Sequence, residues 1–353
     1  MKRIKQRLAF VLAAALALML LAGCGPQAPG VPSSSGGGEE NGIVLTDQAG
    51  REVVLPESAG RVVSGAYLST SVLLALGAEE RVVGLEDQAD TRTLYQMAAP
   101  ALLELPAVSA ANGTMDVEAA AALEPDLVIL SAQQAAQAEA FDALEIPCIV
   151  LAPETLDDFW AAVTLLGAAT GTEERAAALV QYQRGIMESV TTRCAETEER
   201  PSVYLAGPEF LSTAGSGMYQ NVLIELCGGV NAAAEYTDAA WTEISLGELV
   251  SWDPDRIYMV SYAGYTRDDI MNDERFSALS AMEHHETDFL VFPSAIEPWD
   301  TLSPSMALGA LWLGNQLHPD MIPQEEYVTE AQVFYRDFFG IEVGAELLLS
   351  HGG

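Results

Sequence analysis

Beyond Lys5 the 353-residue sequence has no lysine at all. The cationic side chains that follow the first 23 residues are twelve arginines, set against 51 aspartates and glutamates. The whole chain has a formal charge of −35; residues 1–23 hold four basic groups and no acid, so the remainder stands near −39. Such an excess excludes nucleic acid as a partner, because phosphate recognition needs clustered positive charge. It also disfavours electrostatic adhesion to anionic lipid. Most of the carboxylates read as a solvated acidic surface. Cysteine is scarce as well: Cys24, Cys148, Cys194 and Cys227 show no Cys-x-x-Cys pair and no zinc-type Cys/His spacing. With Cys24 set apart in the N-terminal region, an odd three remain, which argues against a disulfide framework. Cys148 in a strand and Cys227 on a helix read as small core hydrophobes. Catalytic signatures are missing too: there is no P-loop, no GxGxxG after the first strand, no GxSxG and no HExxH. An enzyme is therefore not expected.

What is present begins with Lys2, Arg3, Lys5 and Arg7, followed by an apolar run from Leu8 to Ala22 and then Leu21-Ala22-Gly23-Cys24. This is the layout of a secretory signal. The run is about 15 residues, short of the roughly 20 that span a bilayer as a helix. Leu-Ala-Gly-Cys resembles the bacterial lipobox, whose cysteine is acylated; the alternative is an ordinary signal peptide with an incidental cysteine. Residues 24–42 are built almost wholly from Gly, Pro, Ser, Gln and Glu. Too little apolar surface is available there to offset ordering entropy, so a flexible tether of roughly 23 Å mean reach is expected.

About 310 residues remain, comfortable for two lobes. Short β-branched runs at 61–64, 82–84, 127–130 and 148–151 alternate with helix-period stretches at 69–76, 117–123 and 135–144. That alternation predicts parallel sheets covered by helices on both faces. From about Leu156 to Glu199 the pattern turns wholly helical, interrupted at Gly171-Thr172, with Thr172-Glu173-Glu174 as a cap-and-dipole start. At Pro201 the alternation resumes, with helices at 218–226 and 246–252 and strands at 202–206, 256–261 and 289–292. The expected organisation is a leader at 1–23, a tether at 24–42, an α/β lobe at 43–170, a connecting helix at 171–199 and a second α/β lobe at 200–345. An internal echo supports related lobes: helix, Pro125-Asp126 and strand recur as helix, Pro254-Asp255 and strand 129 residues later.

Several loose matches in order carry a resemblance. They are Arg61-Val62-Val63-Ser64, Leu76-Gly77-Ala78, Val82-Val83-Gly84, Leu123-Glu124-Pro125-Asp126-Leu127, Gly228-Gly229-Val230-Asn231, Asp253-Pro254-Asp255-Arg256-Ile257 and Gly309-Ala310-Leu311-Trp312-Leu313 with His318-Pro319. Residues 43–340 resemble the class III solute-binding proteins of ABC importers, which capture ferric siderophores, haem and cobalamin. The resemblance implies two Rossmann-like lobes joined by one rigid helix, with a ligand cleft between them. It implies a lipid-anchored, extracytoplasmic monomer that delivers a ferric siderophore, haem or corrinoid to permease and ATPase subunits, with no intrinsic cofactor or metal. A surface receptor that senses the same ligand without transport is the other reading.

In open α/β sheets the crevice lies beyond the carboxyl ends of the strands. The loops expected there hold Tyr67, Arg92 and Asn112 in the first lobe, and Tyr219, Trp241, Tyr262, Tyr265, Arg267 and Trp299 in the second. Any one aromatic can equally be a packing residue at a lobe edge; as a set they favour a bulky ligand over a bare ion. Arg92 and Arg267, one per lobe, could clamp a carboxylate or catecholate, or simply pair with nearby acids. Without a dense basic cluster, a hydroxamate, haem or corrinoid is favoured over a trianionic catecholate. Ser216-Gly217 is either an anion cradle or a helix cap. His284-His285 lacks a third ligand and reads as a surface loop pair. By resemblance, each lobe offers the transporter a glutamate seven residues before its Pro-Asp turn. Glu118 fits that offset from Pro125; the same offset from Pro254 falls on Gly247, leaving Glu248 or Glu243 as substitutes.

Overall fold

The computed structural model describes residues 42–109 and 113–349. Cys24, the tether and Asn112 lie outside them. An antiparallel hairpin, β1 (Ile43–Thr46) and β2 (Glu52–Leu55), opens the described chain. There follow β3 (Val62–Ser64), α1 (Tyr67–Ala75), β4 (Val82–Gly84), α2 (Thr93–Ala98), α3 (Val117–Ala121), β5 (Leu127–Ser131), α4 (Ala138–Ala143) and β6 (Cys148–Leu151). The four strands β3 to β6 form one all-parallel sheet in the order β4-β3-β5-β6. Its central strands are unbroken apolar runs, Leu127–Leu130 being wholly buried, because both faces are covered.

The helical stretch resolves into α5 (Leu156–Thr170) and α6 (Glu173–Cys194). Gly171 ends α5 in the left-handed conformation (φ 66°), which glycine adopts without Cβ strain. Thr172 makes no capping bond to α6; its hydroxyl pairs with that of Thr170 instead. Glu173 and Glu174 do occupy the first turn, where the helix dipole favours them. The 22 residues of α6 rise about 33 Å. Its buried face runs Ala176, Leu179, Gln183, Met187, Val190, Cys194, at helical spacing. Gln183 accepts from Trp160 Nε1 of α5 and donates to the carbonyls of Ser303 and Pro304. One buried polar side chain thereby ties both sides of the molecule to the strut.

The second half comprises β7 (Ser202–Ala206), β8 (Ser212–Ala214), α7 (Tyr219–Leu226), β9 (Val230–Asn231), β10 (Trp241–Glu243), α8 (Leu246–Trp252), β11 (Arg256–Met259), α9 (Arg267–Met271), α10 (His285–Asp288) and β12 (Phe289–Val291). Three further helices follow: α11 (Met306–Leu317), α12 (Gln324–Phe339) and α13 (Ala345–Leu349). The second sheet runs β10-β8-β7-β11-β12, with β9 also on β7. It departs from the all-parallel expectation: β8 and β10 are antiparallel additions at one side. A short reversal after β7 reaches its neighbour through a tight connection, and that requires antiparallel pairing.

The internal echo is a structural duplication. Glu124 and Asp253, each preceding a proline, both adopt positive φ (49° and 41°). Asp126 then accepts from the Gly60 and Arg61 amides at the start of β3, and Asp255 from Ser202 at the start of β7. Both turns therefore register a strand against its parallel partner by the same carboxylate device. A single hydrophobic cluster extends from Leu45 to Leu348 and includes residues of both lobes. Among the described residues no helix is long and apolar enough to cross a membrane.

Candidate functional site

In the first sheet the chain leaves β3 toward β4 on one side and returns to place β5 on the other. The crevice at such a reversal, outside the carboxyl ends, is where open α/β sheets take ligands. A cavity of about 460 Å³ occupies this place, lined by the ends of all four strands: Gly65-Ala66 after β3, Glu86-Asp87 after β4, Ser131 to Gln134 after β5 and Ala152 to Glu154 after β6. Gly65 is required here, since a Cβ would lie 2.8 Å from the Ile129 carbonyl oxygen. Gln134 holds the crevice in shape by donating to the carbonyls of Gly65 and Gly113.

Arg92 also lines the cavity, its guanidinium 4.7 Å from the centre of the Tyr67 ring. Each of the other eleven arginines among the described residues donates a hydrogen bond or pairs with a carboxylate, whereas Arg92 does neither and its Nε is buried without a partner. In a chain so rich in acids, an unpaired guanidinium signals a group held for something else. Beneath it Glu86 accepts from Thr70 Oγ1 (2.7 Å) and Tyr95 Oη (2.5 Å). Burial raises the Glu86 carboxyl above its ordinary range, and the two hydroxyls and Arg92 oppose that rise.

Tyr67 also crosses to the second lobe, its Oη donating to Glu297 Oε1 at 3.0 Å. Glu297 is fully buried and its Oε2 has no partner. Burial raises it to about 7, against the opposing bond from Tyr67. Nearby in sequence, buried Asp300 accepts from Ser261 Oγ at 3.1 Å and is raised by burial to about 6. Neither acid was singled out by sequence, nor was Glu86. The available signal was position: Glu86 is the first acid after a strand, and Glu297 is the only acid between Pro293 and Trp299.

The second-lobe candidates fare differently. Tyr219 is buried, its hydroxyl directed at the Met306 carbonyl, and Trp299 is 2% exposed with Nε1 donating to Tyr335 Oη. Both are core residues and not cleft lining, because α11 packs across them. Arg267 is no free clamp: it donates to the carbonyls of Phe289 and His285 and stacks on the Phe289 ring. Trp241 covers Gly207, at the end of β7, so closely that a Cβ there would meet the indole at 2.4 Å. Tyr265 donates to the Gly207 carbonyl and sits edge-on to Phe210. Tyr262 alone of this set is well exposed, at 44%. Ser216 forms neither cradle nor cap, since its amide and hydroxyl are both taken by the Tyr236 carbonyl. A second cavity of about 630 Å³ adjoins β11 and β12 and includes Tyr265 and Arg267 in its wall.

At the docking positions, Glu118 is exposed in the first turn of α3, which Asp116 caps. Glu248 is exposed too, but its carboxylate closes a capping box with Ser245 and accepts from Tyr236 Oη. Those bonds, led by the Ser245 amide, pull it down to about 2. His284 precedes α10 and His285 begins it; no group of three or more His, Cys, Asp or Glu among the described residues could hold a metal. Cys148, Cys194 and Cys227 are buried free thiols.

Comparison with known proteins places this geometry. The Bacillus subtilis ABC transporter substrate-binding lipoprotein YvrC, itself uncharacterised, is 23% identical over 326 residues, covering 90% of this chain and 98% of its own. The molybdate-binding protein MolA of Haemophilus influenzae is 21% identical over 322 residues, 84% of this chain and 90% of its own. In three dimensions a periplasmic solute binding protein from Veillonella parvula matches with TM-score 0.77 and 25% identity, covering 87% of this chain and 96% of that one. Molybdate-bound MolA matches with TM-score 0.73 and 20% identity, covering 85% and 99%. The family model described as periplasmic binding protein matches residues 62–287, which run from the start of β3 into α10, just before the last strand β12, and the chain belongs to that family.

Proposed function

We propose that this protein captures a metal chelate outside the cytoplasm and delivers it to the permease and ATPase of an ABC importer. The first-lobe cavity carries the reading: about 460 Å³ at the sheet reversal, with Arg92 stacked on Tyr67 and unpaired. Small-molecule sites typically span roughly 300–1,000 Å³, so the space suits a chelate better than a bare ion. Arg92, held against the Tyr67 ring, offers donors to oxygen acceptors on the ligand, and exposed Tyr262 a contact from the opposite lobe. A siderophore or haem complex of iron is the ligand class proposed, with a corrinoid as the alternative. Tryptophan fluorescence quenching and native mass spectrometry against ferric hydroxamates, ferric catecholates, haem and cobalamin test this; a tight one-to-one complex with one of them is the expected result. Binding of none would end the chelate reading.

An oxyanion is the second reading, favoured by the relative named for molybdate and by the unpaired guanidinium. Molybdate belongs in the same panel, and its exclusive binding would select this alternative. At the N-terminus the reading includes acylation of Cys24, supported by the relative named as a lipoprotein. Incorporation of a labelled fatty acid, abolished by Cys24→Ala, is the expected outcome. For docking, Glu118 is proposed as the first-lobe contact because its carboxylate makes no bond among the described residues, whereas that of Glu248 is committed within its own helix cap.

A further inference from the structure

Resting on the chelate reading above, we infer that the ligand is uncharged or cationic, and that Asp87 and Glu154 reject polyanionic chelates. Charge on the cavity wall is the observation. Among the described residues Arg92 is the only cationic side chain lining it, against three carboxylates, Glu86, Asp87 and Glu154. Glu86 is buried next to Arg92, and its field offsets the guanidinium. Asp87 and Glu154 lie at the ends of β4 and β6, on either side of the crevice. Among the described residues neither side chain pairs with an arginine or meets a counterion on the wall. A walled crevice focuses the field of unpaired charges toward its occupant. A compact polyanion entering here meets two like charges and one cation already offset. An uncharged chelate with an oxygen-rich edge satisfies Arg92 without that repulsion, and a cationic one gains from the two acids.

The experiment compares iron(III) in three carriers: ferrioxamine B, a monocation; ferrichrome, uncharged; and ferric enterobactin, a trianion. Dissociation constants are measured for the whole chain and for Asp87→Asn/Glu154→Gln, at low and at high salt. Because the carriers differ in shape, the decisive quantity is the change in their affinity ratio. The unchanged protein is expected to bind an uncharged or cationic carrier at least about 100-fold more tightly than the trianion. The double variant, and separately high salt, should each narrow that ratio about tenfold. Preference for the trianion, or a ratio indifferent to both the substitutions and salt, overturns the inference while chelate binding stands. Failure of all three, with haem and cobalamin, overturns the chelate reading and this one with it. A thermal melt establishes that the variant is folded; the salt arm decides the question on the unaltered protein if it is not.

Discussion

The two lobes share a strand-helix grammar and even the same Pro-Asp turn, yet their crevices differ. After β3, Gly65 borders a cavity and gives its carbonyl to Gln134; after β7, the equivalent Gly207 lies under Trp241 and gives its carbonyl to Tyr265. The first lobe leaves Arg92 unpaired, whereas the second spends Arg267 on two backbone carbonyls. Duplication of a fold therefore does not duplicate a site. Antiparallel β8 and β10 bring side chains over the end of β7 that the all-parallel first sheet has no strand to supply.

The largest expected effect contrasts aromatic residues of the second lobe. Trp299→Ala should cost about 3–5 kcal/mol of stability in urea melts, as for other large interior side chains. Tyr262→Ala should change stability by no more than about 0.5 kcal/mol and weaken ligand binding. Equal effects on folding would remove the distinction between interior and cleft aromatics.

Next come the two arginines. Arg92→Gln should weaken binding of the preferred chelate roughly 10–100-fold, the loss of a charge-assisted bond of about 1.5–3 kcal/mol, with little change in melting temperature. Arg267→Gln should do the reverse, because it leaves two carbonyls unpaired. Similar titration curves for the two variants would contradict the asymmetry drawn here.

Glu297, the acid that joins the lobes through Tyr67, predicts a pH dependence. Burial lifts it from 4.5 to about 7, so the folded protein holds a proton that the unfolded chain releases between those values. The stabilisation is complete below about 4.5 and disappears as the pH climbs through 7. Asp300, raised from 3.8 to about 6, acts in the same direction. Glu297→Gln should therefore raise stability by about 1–3 kcal/mol near pH 8 and change it little near pH 4. A pH-independent difference would show that the carboxyl stays ionised in the fold.

The smallest effect contrasts the glutamates in the first turns of α3 and α8. Glu118→Arg should cut uptake in whole cells several-fold with ligand affinity intact. Glu248→Ala should chiefly lower stability, through the lost cap. Equal loss of uptake and affinity in Glu118→Arg would refute docking through that residue.

Much of the architecture was legible beforehand. The helical stretch of 156–199 became α5 and α6 with the break at Gly171, and all seven anticipated strands fall within a residue or two of place. β1 and β2 were missed because each is four residues with one buried face, too short to establish a period. The candidate loops also lie at strand ends, as the alternation requires. Which of their side chains face outward was not legible, as the contrast of Tyr262 with Tyr219 and Trp299 shows.

The order of strands and helices, the two lobes and the long strut were determined by the sequence itself, because apolar periodicity, Gly171 and the Pro-Asp turns act through near neighbours along the chain. Tertiary structure alone decided that Arg92 is free and Arg267 is not, that Trp241 covers Gly207 while Gly65 borders a cavity, and that Glu297 meets Tyr67. The partners in those contacts are 18 to 230 residues apart. Whether a charge or ring is satisfied depends on acceptors and atoms delivered by other elements, and no local pattern encodes them.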